Sequence, residues 1–286
     1  MSRVAYVNGK YVPHRAAAVH VEDRGYQFAD GVYEVIAVAN GAPIDEALHL
    51  KRLERSLAEL RIARPFPDRV LRHLMREVLR RNRVRNGILY LQVTRGAAPR
   101  DHAFPERPIR PSVVMTARPA RRPARATVEG GIDVITIPDI RWRRCDIKSV
   151  SLLPNVLGKQ QAKEAGAYEA WMVADDGTVT EGTSTNAWIV TKDGTLVTRP
   201  ADHVILNGVT RIAILDLARR NGLAVEERSF TVAEALGAAE AFLTSTTSFV
   251  LPVVRIDGKP VGGGRPGRFA NRLLATYRDH AGEAGP

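Results

Sequence analysis

The 286-residue chain reads as an α+β protein of two domains. Three observations predict this. Strand-like segments outnumber helix-like ones. Most of them are joined by hairpin turns, which argues against a doubly wound parallel sheet. A stretch mixing proline with arginine, 117–127, then interrupts the chain. The expected organisation is a smaller N-terminal domain over 1–117, an interdomain linker over 118–130, and a larger C-terminal domain over 131–286.

The elements follow in order. Val4 to Val7 and Lys10 to Val12 flank Asn8-Gly9, a strong hairpin signal. The segment from Asp23 to Gly31 reads as a loop with two glycines. It leads into a strand, Val32 to Val38, on which Tyr33, Val35 and Ala37 share a face. Asn40-Gly41 closes a second hairpin. Leu50, Leu53, Leu57 and Leu60 recur at helical spacing, predicting a helix over Leu48 to Leu60. Asp68 is the expected N-cap of a second helix running to Asn82. Gly87 to Val93 and Arg110 to Thr116 read as paired strands. The loop between them is long, and long ordered loops in compact domains are often functional.

Beyond the linker, Gly131 to Pro138 is a strand and Asn155 to Ala165 a helix. A hairpin turns at Asp175-Asp176-Gly177, joining Ala170 to Ala174 with Thr178 to Thr180. Asn186 to Thr191 is a strand. Thr210 to Asn221 is a helix with Gly222 as its C-cap. A short helix over Ala233 to Leu236, a strand over Glu240 to Thr244, a hairpin within Val250 to Val261, and a helix from Pro266 to His280 complete the chain.

Composition narrows the function. The formal net charge of +11 invites a nucleic-acid reading. No helix-turn-helix, zinc-finger or aromatic-basic RNA-binding pattern accompanies it, and much of the arginine lies along helix-like segments as solvated faces. No apolar run approaches membrane-spanning length, and the N-terminus lacks the apolar stretch of a secretory signal. Cys145 is the only cysteine. Intrachain disulfides are therefore impossible, and a reducing cytoplasm fits best. No cysteine cluster or HExxH pattern predicts a metal site. Gly262, Gly264 and Gly267 imitate a dinucleotide fingerprint, but no following strand and acidic residue can complete one.

The chemistry concentrates around Lys148. It follows Arg141, Arg143 and Arg144 closely. Neighbouring cations and partial burial both push a lysine pKa down, and a neutral lysine is a nucleophile that forms Schiff bases. Taken alone, the window also reads as a solvated basic turn. The same holds elsewhere. Glu181 heads Glu181-Gly182-Thr183-Ser184-Thr185-Asn186, where a glutamate before glycine is usually a turn residue. Asn207-Gly208-Val209-Thr210-Arg211 opens a helix, and helix N-termini are ready anion sites or ordinary caps. Thr244 to Ser248 is a hydroxyl-rich loop. Arg52 lies off the leucine face of its helix, as a surface charge would. Arg100 and His102 lie in the long loop, where an arginine fork matches a carboxylate or merely decorates a turn.

These segments together resemble one family. Arg144-Cys145-Asp146-Ile147-Lys148-Ser149, followed by Leu152, Leu153, Asn155, Lys159 and Gln160, is similar to the cofactor-lysine region of the D-amino-acid aminotransferases. These are fold-type IV enzymes dependent on pyridoxal 5'-phosphate (PLP). The resemblance implies a small α/β sandwich domain and a larger pseudo-barrel domain. It implies Lys148 as the Schiff-base and proton-transfer lysine, Glu181 as the acid facing the ring nitrogen, and Leu206 packed on the ring. Val209, Thr210, Thr246 and Arg52 inherit the phosphate. The segment Pro99-Arg100-Asp101-His102 with Phe104-Pro105 is similar to that family's substrate loop. Arg100, His102 and Tyr33 therefore inherit the substrate carboxylate, and Val35 is expected to line the same pocket. The implied reaction exchanges an amino group between D-amino acids and 2-oxo acids by a ping-pong mechanism. The implied assembly is a homodimer with shared active sites. Alternatives within the fold are a branched-chain L-amino-acid or (R)-amine aminotransferase and an aminodeoxychorismate lyase. Outside it stands a basic nucleic-acid-binding protein.

Overall fold

A computed structural model describes residues 3–283; the terminal residues of the two expected domains, 1–2 and 284–286, lie outside the described residues. The chain divides into two compact units. The first holds the chain to Arg121 together with Ile147–Ser151, and the second holds Arg122–Asp146 and the chain from Leu152 onward. The second unit differs from the expected 131–286 domain in two ways: it also takes in 122–130, and it lacks the short segment 147–151 that carries Lys148.

In the first unit, β1 (Val4–Val7) and β2 (Lys10–Pro13) form the Asn8-Gly9 hairpin, both turn residues holding positive φ. The segment from Asp23 is not simply a loop: Arg24–Phe28 forms a one-turn helix, α1, capped by the Asp23 carboxylate on the Gly25 N–H. Gly25 sits where an added Cβ would lie 2.2 Å from Thr94 Cγ2, so the glycine serves close packing rather than looseness. Then come β3 (Gly31–Ala39), β4 (Ala42–Pro43), α2 (Glu46–Glu59), α3 (Asp68–Asn82), β5 (Gly87–Thr94) and β6 (Ser112–Pro119). Asp68 is the first helical residue of α3 rather than its cap; Pro67 holds that place, and the Asp68 carboxylate pairs with Arg64.

The six strands form one antiparallel sheet in the order β2-β1-β6-β5-β3-β4. Period-2 alternation gives each strand two faces. Val32, Ile36, Leu89, Leu91, Val113 and Met115 are buried and join the leucines of α2 and α3 in one core. The opposite face carries Tyr33, Val35, Tyr90, Gln92 and Val114, all half-buried and aligned by register. Ile147–Ser151 lies along β3 as an irregular extra strand: the Tyr33 N–H donates to the Lys148 carbonyl at 3.0 Å and the Val150 N–H to the Gly31 carbonyl at 3.0 Å.

In the second unit, α4 (Arg125–Gly130) occupies much of the expected linker. Next are β7 (Ile132–Pro138), α5 (Leu153–Glu164), β8 (Glu169–Val173), β9 (Val179–Gly182), β10 (Asn186–Val190), β11 (Leu196–Thr198), α6 (Val209–Arg220), β12 (Val225–Glu227), α7 (Val232–Gly237), β13 (Glu240–Ser245), β14 (Phe249–Ile256), β15 (Lys259–Pro260) and α8 (Arg268–His280). The strands form a mixed sheet ordered β12-β11-β10-β13-β14-β7-β8-β9, with β15 on β14. It curls until β9 meets β10, the half-barrel the family resemblance implied. Trp171, Ile189, Phe230, Leu243 and Leu251 fill one side. Trp188 stacks on Phe242 with centroids 5.3 Å apart. The C-cap of α6 is Asn221, with Gly222 one residue beyond at φ +70. The strands β11 and β12 and the helices α1 and α4 had no clear signal: each is only three to six residues long.

Candidate active site

The first unit assembles its residues on and beside β3. Lys148 is half-buried, with its amine nitrogen 4.3 Å from the centroid of the Tyr33 ring. Tyr33 in turn lies 5.7 Å from the Tyr90 ring. Burial pushes the Tyr90 hydroxyl up to about 12, with Tyr33 adding to the effect. Val35 is paired with Tyr90 across the sheet and shares its face. The environment of the lysine corrects one expectation. Two of the three arginines before it are paired with acids: Arg141 is held by Asp139 and Glu181, and Arg144 by Asp146, all within the second unit. What meets the Lys148 amine is an aromatic face.

On the other face of β3 stands a residue that the sequence reading missed. Glu34 is 1% exposed. Its carboxylate accepts from Arg52 Nε at 2.8 Å and Nη2 at 2.7 Å, and lies 2.7 Å from His49 Nδ1. Burial alone would raise its pKa; the Arg52 guanidinium and His49 outweigh burial and bring it to about 2. Burial lowers the His49 pKa. Glu34 opposes that, while Arg52 and Lys148 reinforce it. Arg52 is therefore no surface charge: its side chain is 9% exposed and forked onto a buried acid. A signal was available, since the single acid in Val32-Tyr33-Glu34-Val35-Ile36 alternates onto the face of Val32 and Ile36.

Arg100 and His102 are exposed in the β5–β6 loop. Both approach Phe28 of α1: the Arg100 guanidinium at 5.1 Å from the ring centroid, and the His102 ring at 5.3 Å.

In the second unit, Glu181 is the penultimate residue of β9 and is 6% exposed. It takes a donor from Arg141 Nη1, one from Asn186 Nδ2 at 3.1 Å, and the Leu206 backbone N–H at 3.2 Å. Asn186 Nδ2 also reaches the Leu206 carbonyl at 2.9 Å. One amide thus ties the acid to the segment before α6. Gly208 is required there, because a Cβ would lie 2.1 Å from Asn186 Oδ1. Val209 and Thr210 follow as the buried first residues of α6, a twelve-residue helix whose leading N–H groups have no intrahelical partner. Arg211 secures this turn from inside, donating to Asn207 Oδ1, the Arg199 carbonyl and Glu227. Thr246 lies in the turn between β13 and β14, its carbonyl accepting from Arg122 at 3.1 Å. Leu206 is half-buried.

Glu181 shares its arginine with a second acid. Arg141 also binds Asp139 at 2.7 Å, and Thr180 Oγ1 donates to Asp139 at 2.7 Å. Burial lowers the Arg141 pKa, but the two acids overcome it and raise it. Burial likewise opposes the charged form of Asp139, and Arg141 with Thr180 reverses that. Cys145 stays a thiol, pushed up to about 12 by burial against the opposing pull of Arg141. Two carboxylates thus share the Arg141 guanidinium. A buried site of that kind accepts a cationic N–H, which is what a protonated pyridine nitrogen offers. The unpartnered N–H groups at the start of α6 suit a phosphate. The residues present therefore fit PLP. Among the described residues no group of three or more His, Cys, Asp or Glu could hold a metal, and no helix is long and apolar enough to cross a membrane.

Comparison with known proteins agrees. Residues 31–256 match the family model for amino-transferase class IV. A D-alanine aminotransferase of Bacillus licheniformis is 46% identical over 272 residues, covering 95% of each chain. Another from Staphylococcus haemolyticus is 40% identical over 275 residues, 96% of each. Among solved structures, a branched-chain amino acid aminotransferase of Escherichia coli aligns with a TM-score of 0.90 at 25% identity, covering 100% of this chain and 97% of the other. A 4-amino-4-deoxychorismate lyase of Pseudomonas aeruginosa aligns at 0.82 with 27% identity, covering 96% and 98%. The match to the family model spans most of the sequence, and the chain belongs to the class IV aminotransferases.

Proposed function

We propose that this PLP-dependent aminotransferase is a D-amino-acid transaminase, exchanging an amino group between D-amino acids of the D-alanine or D-glutamate type and 2-oxo acids by a ping-pong mechanism. The observation that carries the reading is the Lys148 amine on the face of Tyr33, in a chain 46% identical over 272 residues to a D-alanine aminotransferase.

Bound PLP supplies an aldehyde that captures amines and a ring that withdraws electrons from the substrate Cα. Lys148 would hold the cofactor covalently. Once freed by a substrate amine, its Nζ would move the proton between the substrate Cα and the cofactor C4′, as general base and then general acid. Glu181 would accept the ring-nitrogen N–H, and its carboxylate charge would keep that proton in place. The N–H groups of Val209 and Thr210, the hydroxyls of Thr210 and Thr246, and Arg52 bind phosphate. Leu206 packs on the ring. Tyr33, Arg100 and His102 hold the substrate carboxylate, and Val35 shapes the space for its side chain. We propose a homodimer in which Arg100 and His102 serve the neighbouring subunit. The reading is of a cytoplasmic enzyme without a nucleic-acid or membrane partner, consistent with Cys145 as a lone buried thiol. The small-domain, linker and large-domain boundaries read from sequence remain part of this proposal.

Two measurements test it. Borohydride treatment of the purified protein should attach the cofactor to the peptide containing Lys148. D-alanine with 2-oxoglutarate should give pyruvate, whereas L-valine should not react. Turnover of L-valine without D-alanine would move the enzyme to the branched-chain reading, and pyruvate release from aminodeoxychorismate without transamination would make it a lyase.

A further inference from the structure

We propose that Arg24 is a positioning residue for substrate-carboxylate recognition, fixing the loop tip that carries Arg100 and His102. The proposal rests on the transaminase reading and adds a residue to it.

The loop between β5 and β6 has two parts. Its base is tied by backbone: Arg24 N–H donates to the Gly96 carbonyl at 2.9 Å, and Arg95 N–H to the Asp30 carbonyl at 3.0 Å. Its tip, Pro99 to Phe104, is exposed throughout. An exposed tip of this kind would sample many conformations, and a carboxylate clamp needs one. Arg24 is itself 3% exposed, yet its guanidinium ends on the tip. Nη1 donates to the Asp101 carbonyl at 2.6 Å and Nη2 to the His102 carbonyl at 3.3 Å. These two carbonyls flank His102, the second of the proposed ligands.

The anchor is itself fixed. Arg24 Nε donates to Asp30 at 2.8 Å. Asp30 also takes Nε of Arg95 at 2.7 Å and Nη2 at 3.0 Å, and Arg95 donates on to the Leu60 and Arg61 carbonyls at the end of α2. One carboxylate therefore locks two buried arginines to the body of the unit. Arg95 then holds the far side of the tip, with its guanidinium 3.7 Å from the Phe104 ring centroid. Phe28, on the same helix as Arg24, gives Arg100 and His102 a common aromatic surface. A lysine in place of Arg24 could keep the charge beside Asp30, but has no planar fork to span two carbonyls.

The test compares Arg24→Lys with wild type in the D-alanine and 2-oxoglutarate reaction. Loosening the tip removes binding that is equal in ground and transition states, so KM should rise with kcat held. The expected result is a KM for D-alanine and an inhibition constant for propanoate both raised about tenfold, with kcat within about threefold. Cofactor absorbance and the thermal midpoint should stay near wild type. Phe28→Leu, which removes the ring but no buried charge, should move the same two constants by a smaller factor and serves if Arg24→Lys does not fold. Loss of kcat with unmoved KM, or unmoved constants in the folded variants, overturns the role of Arg24. Wild-type turnover of D-alanine is read first: its absence would sink the transaminase reading itself, whereas normal turnover with unmoved variant constants sinks only this inference.

Discussion

Two buried clusters, one in each unit, use the same residue types and balance differently. On β3, Glu34 faces Arg52, with His49 as a neutral companion whose pKa is lowered by burial. One acid meets one guanidinium, and the pair is closed. Around β9, Asp139 and Glu181 share Arg141. A closed pair has little left to offer a ligand except orientation. Two acids on one guanidinium present several carboxylate lone pairs, which a cationic N–H can use. The comparison assigns the first cluster to stability and to aiming Arg52, and the second to binding.

The comparison breaks most visibly at Glu34. Glu34→Gln leaves the Arg52 guanidinium buried beside a neutral amide, and removing one partner of a buried pair typically costs about 3–5 kcal/mol. Asp139→Asn removes one of the two acids on Arg141 instead, leaving Arg141 paired with Glu181. Its cost should be about 1–2 kcal/mol, chiefly of hydrogen bonding. Urea unfolding of the apo proteins measures both. Equal losses would mean that charge balance does not distinguish the clusters.

Acid titration sharpens the same point. The Glu34 pKa is about 2 in the fold against an ordinary 4.5. A depressed acid contributes stability that is fully present above its unfolded pKa and is lost as pH falls through the folded one. The loss should therefore run from pH 4.5 towards 2 and amount to roughly 3 kcal/mol. His49 adds in the same sense from a higher pH. Its folded pKa lies below 6.5, so the unfolded chain binds the proton first, and stability begins to fall once the pH drops below 6.5. Stability measured against pH should show an early shallow decline and then a steeper one. Glu34→Gln should lack the second.

Much of this architecture could be read in the letters, for identifiable reasons. Asn8-Gly9 and Asn40-Gly41 mark hairpins because both residues of such turns need positive φ, and both pairs have it. The leucines of α2 announce a helix because their spacing is that of one face. The one-turn α1 was hidden by Gly25, which looks like a loop signal and is present for contact with Thr94. The strands β11 and β12 are too short for any periodicity to register. Lys148 and Glu181 stood out through motifs, but their partners did not. Arg141 was read as one cation among three, whereas what matters is its position against Asp139 and Glu181, a pairing across about forty residues of sequence. The burial of Arg52 was not legible, because helical periodicity records where leucines point and says nothing of Glu34 on the neighbouring strand.

The smallest expected effect tests how finely the Arg141 cluster is tuned. Thr180 is 2% exposed, and its hydroxyl reaches both Asp139 at 2.7 Å and the Met172 carbonyl at 3.0 Å. A hydroxyl has one hydrogen, and the carboxylate, the stronger acceptor, takes it. Thr180→Val removes that donor with little change in volume and leaves Arg141 in place. The expected cost is about 1 kcal/mol, less than that of Asp139→Asn, because the carboxylate keeps its ionic partner. Losing a donor to the charged form should also raise the Asp139 pKa towards its ordinary value. Stability that Asp139 contributes above its unfolded pKa would then be lost at a less acid pH than in wild type. An unchanged acid limb in Thr180→Val would mean that Arg141 alone sets the charge of this cluster.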